Sequence, residues 1–138
     1  MRFVDASVFV HAFLKPKRKL KPHEIEIKES AKEIVRRIND GEEVGITVVQ
    51  IVEIANLLES YLPLSEALKV EEFLLLAKNV NVFDVTKRDC LKALKISRER
   101  SVGLSDAIAY VVMMKIGVNE IYSFDSDFDK LNVKRITE

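Results

Sequence analysis

The 138 residues hold one cysteine, three prolines, four glycines and no tryptophan, and each shortage excludes something. Cys90 has no partner for an internal disulfide, and no paired Cys/His spacing of the structural zinc type occurs, which fits a reducing cytoplasm. The few prolines and glycines exclude collagen-like and low-complexity chains. Charge of one sign is also lacking: 22 Lys and Arg balance 22 Asp and Glu, so any nucleic-acid contact must come from a local patch. No apolar run reaches the roughly 18 to 20 residues of a membrane span. Asp5 interrupts the apolar N-terminal stretch, so a signal peptide is not expected either. With 48% hydrophobic residues the chain can bury a core, and its length suits one domain over 1–138.

Periodicity supplies the elements. Arg2 to Val4, Gly45 to Val48, Val80 to Val85, Glu120 to Phe124 and Val133 to Ile136 read as five strands. Between them, helical spacing or capping predicts helices over Ser7 to Leu14, Glu24 to Asn39, Ile51 to Leu62 and Ser65 to Lys78. Two more are expected from a Thr86 cap to Arg100 and from a Ser105 cap to Ile116, with Gly117 at the C-terminus. Five strands separated by helices, with apolar rather than alternating interiors, indicate an α/β fold. The expectation is a three-layer α/β/α domain on a five-stranded parallel sheet.

In such sheets ligands sit beyond the carboxyl ends of the strands. Asp5 ends the first strand, and Asp125 follows the strand that ends at Phe124. Glu53 is the only charge between Val48 and Leu58, and Asp106 the only one between Gly103 and Met114. Burying a lone carboxylate costs several kcal/mol, roughly, unless it is paired. No nearby Lys or Arg offers pairing, so a hard cation such as Mg²⁺ or Mn²⁺ is an attractive partner.

Each acid also has a bland reading. Asp5 could cap the following helix, and Glu53 could lie on a solvated stripe with Gln50, Asn56 and Ser60. Asp106 could answer a helix dipole, and Asp125, Asp127 and Asp129 could form a polar turn. The Asp125-x-Asp127-x-Asp129 spacing opens like an EF-hand, but Lys130 occupies the glycine position and Ile136 the twelfth, which excludes it. His11 and His23 are too isolated to suggest ligands, and Cys90 and Met113-Met114 read as core.

The ordered pattern resembles the PIN domain, and most closely the short VapC-like ribonucleases of toxin–antitoxin modules. The resemblance rests on Val4-Asp5-Ala6-Ser7, the lone Glu53, Leu104-Ser105-Asp106-Ala107 and Ser123 to Phe128. It implies a cluster of Asp5, Glu53, Asp106 and Asp125, with Asp127 peripheral, holding one or two Mg²⁺ or Mn²⁺ ions that hydrolyse RNA. Ser7 and Ser123 would be supporting hydroxyls that orient the acids or a water. It further implies a small antitoxin protein as partner and a homodimer, for which the leucine-rich Leu74-Leu75-Leu76 surface is the candidate interface.

One departure from compact relatives is the stretch Lys15 to Pro22. Lys15, Lys17, Arg18, Lys19 and Lys21 make it the one strongly basic feature read from the chain, and it is either a solvated loop or an arm that contacts RNA phosphates. A housekeeping RNA-processing nuclease would use the same acids. A binding module that does not cut is the alternative of a different class. A phosphoacceptor receiver is disfavoured because Ala6 follows Asp5, and a haloacid-dehalogenase-type phosphatase because Asp5-Ala6-Ser7 replaces Asp-x-Asp.

Overall fold

The computed structural model describes residues 1–138. Five parallel strands form one sheet: β1 (Arg2–Val4), β2 (Val44–Thr47), β3 (Val80–Phe83), β4 (Glu120–Tyr122) and β5 (Lys134–Ile136). Their spatial order is β3-β2-β1-β4-β5. Phe3 of β1 registers with Gly45 of β2 on one side and Ile121 of β4 on the other. The chain builds outward from β1 through β2 and β3, then returns to place β4 against the free edge of β1. The direction of winding therefore reverses between β1 and β4, which opens a crevice at their carboxyl ends.

Six helices cover the two faces: α1 (Ala6–Phe13), α2 (Pro22–Asn39), α3 (Val48–Tyr61), α4 (Leu64–Leu76), α5 (Lys87–Arg100) and α6 (Leu104–Ile116). Successive residues of β1 point to opposite layers, as the pleat requires. Val4 joins Phe9, Ile34, Ile38, Ile54, Leu58 and Leu74 beneath α1 to α4. Phe3 joins Ala93, Ile108, Val112, Met113 and Ile121 beneath α5 and α6. Phe3, Val4, Ile34 and Ile38 are fully buried, each side chain contributing about 1.5 to 3 kcal/mol by leaving water.

Helix ends differ from expectation where caps were read from side-chain type alone. α2 begins at Pro22, whose fixed φ and missing N–H suit the first turn, while Glu24 accepts from the Lys21 backbone N–H at 3.0 Å. α6 begins at Leu104 with Gly103 as its cap, so Ser105 lies inside the helix and its hydroxyl is free for another role. Thr86 does cap α5, in a reciprocal pair with Asp89. Asp89 is buried and also accepts from Lys115 Nζ at 2.8 Å, tying α5 to α6 and holding its carboxyl down to about 2. Gly117 ends α6 in the left-handed conformation, as expected.

Lys28 is a buried cation that the sequence did not single out. Its Nζ donates to the carbonyls of His11 at 2.9 Å, Ala12 at 3.4 Å and Leu14 at 3.0 Å, so it caps the open C-terminus of α1. The segment after α1 is thereby fixed to α2 where it departs.

Gly45 has a packing reason. A Cβ there would meet Phe3 ring carbons at 2.6 and 2.7 Å and the Phe83 ring at 3.1 Å. The two rings stack with centres 5.7 Å apart over the bare backbone, and Phe3 is fully buried and cannot swing away. Gly45→Ala should therefore destabilise the protein by about 1 to 3 kcal/mol through overpacking. The usual gain of replacing a strand glycine is smaller, roughly 0.5 to 1 kcal/mol. A urea midpoint equal to or above that of the parent would remove this explanation.

Candidate active site

Strand ends and helix starts bring the acids together. Asp5 is the single residue between β1 and α1, and its side chain caps α1 by accepting from Ser7 N. The same Oδ2 accepts from Ser7 N at 3.3 Å and Ser123 Oγ at 3.0 Å, which leaves Oδ1 without a donor in the protein although Asp5 is only 3% exposed. Asp125, just beyond β4, caps the short 3-10 turn Ser126–Lys130 by accepting from Asp127 N at 2.9 Å. The capping readings of Asp5 and Asp125 are thus correct, and capping is what aims both carboxylates over the crevice.

Ser7 and Ser123 stitch the two strand ends. Their hydroxyls lie 3.3 Å apart, Ser7 Oγ accepts from Phe124 N at 3.0 Å, and Ser123 Oγ accepts from Asp125 N at 3.0 Å. Ser123 is fully buried, so its hydroxyl serves this network and is closed to solvent.

Glu53 and Asp106 arrive from α3 and the first turn of α6. Ser105 Oγ donates to Glu53 Oε2 at 3.2 Å, and Gln50 Nε2 donates to the Ser105 carbonyl at 2.8 Å. Gln50 is held in turn by the Thr47 hydroxyl, which also caps α3 by accepting from Val49 N and Gln50 N. Gln50 is 1% exposed, so the solvated stripe expected for it with Glu53 does not exist at that position. Thr47, Gln50 and Ser105 form a bracket that fixes Glu53 beside Asp106. They went unrecognised in the sequence, where the available signal was a glutamine one helical turn before a lone glutamate.

The result is a pocket of about 210 Å³ lined by Asp5, Ser7, Glu53, Asp106 and Asp125, with Val10 and His11 on one wall. Carboxylate oxygens of Asp106, Asp125 and Asp127 also lie within 4.8 Å of one another. Asp127 is at the edge, paired with Lys130 at 3.0 Å. Asp129 points elsewhere, bound to Arg135 at 3.0 Å. Lys130 and Arg135 are therefore committed to peripheral acids, and none of the four central carboxylates has a salt-bridge partner.

Burial and mutual repulsion govern the protonation of this group. Asp106 is pushed up to about 8, mainly by desolvation and then by the charges of Asp5, Asp125 and Glu53. Asp5 is also raised by burial, against the lowering effect of Ser7 and Ser123. Glu53 is raised by burial and by Asp5 and Asp125, with Ser105 opposing. An all-oxygen donor set without a salt-bridge partner, and with Asp5 Oδ1 free of protein donors, fits a hard divalent ion.

The basic stretch stands apart from the cluster. Lys15, Lys17, Lys19 and Lys21 are exposed, whereas Arg18 holds Glu24 through two bonds of 2.8 and 2.6 Å. This stretch is not the only strongly basic feature. α5 carries Lys87, Arg88, Lys92, Lys95, Arg98 and Arg100, and Arg100 donates to the Lys130 carbonyl at 3.2 Å near the acidic edge. The acids interspersed along α5 mask it in a scan for runs. The expected leucine surface also needs correction: Leu74 is fully buried, while Leu75 and Leu76 are exposed.

The PIN domain family model matches residues 2–134. Among curated proteins none matches the chain by sequence. Among solved structures, the VapC20 toxin of Mycobacterium tuberculosis, which cleaves the sarcin–ricin loop, is similar with a TM-score of 0.70 and 22% identity. That likeness covers 94% of this chain and 93% of the other. A toxin–antitoxin complex from Klebsiella pneumoniae gives 0.63 at 12% identity, covering 93% and 90%. FitAcB from Neisseria gonorrhoeae gives 0.60 at 12%, covering 99% and 96%. These structures share the fold, and by the extent of the family match this chain belongs to the PIN domain family, whose members are nucleases.

Proposed function

We propose that the chain is a divalent-metal-dependent endoribonuclease that hydrolyses RNA phosphodiester bonds, and that it is the toxin of a toxin–antitoxin pair. The observation that carries the chemistry is the convergence of Asp5, Glu53, Asp106 and Asp125 on one pocket with no cation of the protein's own. The toxin role is supported by the fold it shares with VapC20 and with the Klebsiella complex. The partner is then a small antitoxin protein, and residues 1–138 act as one nuclease unit.

Asp5, Glu53, Asp106 and Asp125 would hold one or two Mg²⁺ or Mn²⁺ ions, with Asp127 at the periphery. A bound ion of this kind supplies Lewis acidity, offsetting charge on phosphate oxygens and making water easier to deprotonate near neutral pH. The protein's part is orientation. Ser7 and Ser123 fix Asp5 through one oxygen and leave the other to the pocket. Ser105 fixes Glu53, and Asp106, raised to about 8, would have to give up its proton to serve as a ligand. Lys15, Lys17, Lys19 and Lys21 would contact the RNA backbone, with Arg18 contributing less because Glu24 already neutralises it.

Cleavage of single-stranded RNA should need Mg²⁺ or Mn²⁺ and stop with chelator. Asp5→Asn and Asp106→Asn should each lower the rate by at least about 100-fold, as expected when a transition-state contact is lost. Robust cleavage in excess EDTA would refute the mechanism.

The raised carboxyls also set a sign for stability against pH. Asp5, Glu53 and Asp106 are protonated in both states below their ordinary values near about 4. As pH rises from there to about 8 the unfolded chain has lost these protons while folded Asp106 still holds its own, so stability falls. Asp89, held low by Lys115, acts oppositely but only below that window, and His11, lowered by burial and by Lys28, opposes within it through a smaller shift. The melting temperature of the chelated protein should therefore drop between about pH 5 and 8. Mn²⁺ should restore it, and Asp106→Asn should be the more stable protein at pH 8 in EDTA. A chelated melting temperature that climbs over this interval would contradict the charge crowding.

A homodimer through α4 is part of the same proposal. Leu64, Leu68 and Leu75 fall on one helical face and are 58%, 48% and 54% exposed. Light scattering should give a dimer at micromolar concentration, and Leu68→Asp should give a monomer. A monomeric parent would leave the leucine face unexplained by self-association.

A further inference from the structure

The wall that Val10 and His11 place beside the acidic pocket has a second side. There it closes a groove of about 350 Å³ between α1, the segment that follows it, the start of α2 and Tyr61 at the end of α3. The floor is apolar, made by Val10, Leu14, Leu20 and Ile27. Two rings stand at its margin. Tyr61 is 74% exposed, so its face is open. The His11 ring packs edge-on against Phe124 with centres 5.5 Å apart, and neither of its nitrogens makes a hydrogen bond within the protein. Partial burial and the nearby Lys28 charge lower the His11 pKa, so at neutral pH the ring offers one donor and one acceptor nitrogen.

The charge of the groove is cationic. Glu24 is its one acid and is neutralised by Arg18 at 2.6 Å. Lys15 lies on the rim, and Lys28 beneath adds positive charge while its Nζ is occupied by three carbonyls. The cavities between α1, α2 and α4 and between α5 and α6 share no residue with the acidic pocket. Only a cavity adjoining that pocket can take the base of a nucleotide whose phosphate sits over the acids.

We propose that this groove receives the nucleobase flanking the scissile phosphate of a single-stranded RNA, stacked on Tyr61 and read along its edge by His11. The inference rests on the nuclease reading above. An apolar groove with an exposed aromatic ring at its margin suits a base, because stacking uses the face that every base has. The polar ring beside it adds discrimination, because an edge contact distinguishes donor from acceptor.

The test compares a mixed-sequence single-stranded RNA with an abasic oligomer of the same length and backbone, in an Asp106→Asn background where cleavage is absent. The RNA should bind about tenfold more tightly than the abasic strand, the size expected from stacking one base. His11→Ala with Tyr61→Ala should erase most of that advantage while leaving affinity for the abasic strand unchanged, and Tyr61→Phe should retain it. Equal affinity for the two strands, or a double variant that keeps the full preference, would overturn the base subsite and leave the groove to a protein partner. Failure of the protein to bind either strand would overturn the RNA-nuclease reading together with the inference.

Discussion

Four carboxylates crowded into one pocket repel one another, and most of the local structure serves to hold them there. Desolvation pushes such groups to bind protons, and at Asp106 the charges of Asp5, Asp125 and Glu53 add to it, raising the carboxyl to about 8. The protein does not relieve this with a lysine or arginine. It spends Lys130 on Asp127 and Arg135 on Asp129, at the rim. What remains is a negative site whose charge is left for something outside the polypeptide to balance.

Backbone geometry supplies the partial compensation. Asp5 caps α1, Asp106 lies in the first turn of α6, and Asp125 caps the 3-10 turn. At these positions the unpaired N–H groups and, for α1 and α6, the helix dipole favour an anion. The switch in winding direction between β1 and β4 brings the first and last of them to one crevice, and the Ser7–Ser123 stitch fixes their spacing. Capping and chemistry are therefore one arrangement: the hydrogen bond that ends a strand and starts a helix also aims the carboxylate.

Zero net charge conceals a strong local separation of sign. The acids gather at the carboxyl ends of the sheet, while the exposed lysines after α1 and the basic residues of α5 lie on other elements. Lys28 contributes from inside, where its ammonium both closes α1 and anchors the origin of the basic segment.

Much of this was legible in the linear chain because it depends on local periodicity and on isolation of charge. Five short strands alternating with helices determined the parallel α/β class, and an acid alone in an apolar helix, as Glu53 and Asp106 are, marked itself by lacking a neighbour of opposite sign. Asp5 and Asp125 were visible because strand ends are where such sheets place ligands. The bracket of Thr47, Gln50 and Ser105 was not visible, because Gln50 and Ser105 are 55 residues apart and meet only when α3 packs against α6. The same holds for Lys28, whose burial reverses the usual reading of a helix lysine as solvated. Leu74 and Leu75 differ in burial because neighbouring helix residues point about 100° apart, and only packing against the sheet decided which faced inward. Composition and spacing thus determined which residues could carry charge into the core; the tertiary structure decided which of them share a pocket, because proximity across the switch point is a property of strand order that no local pattern encodes.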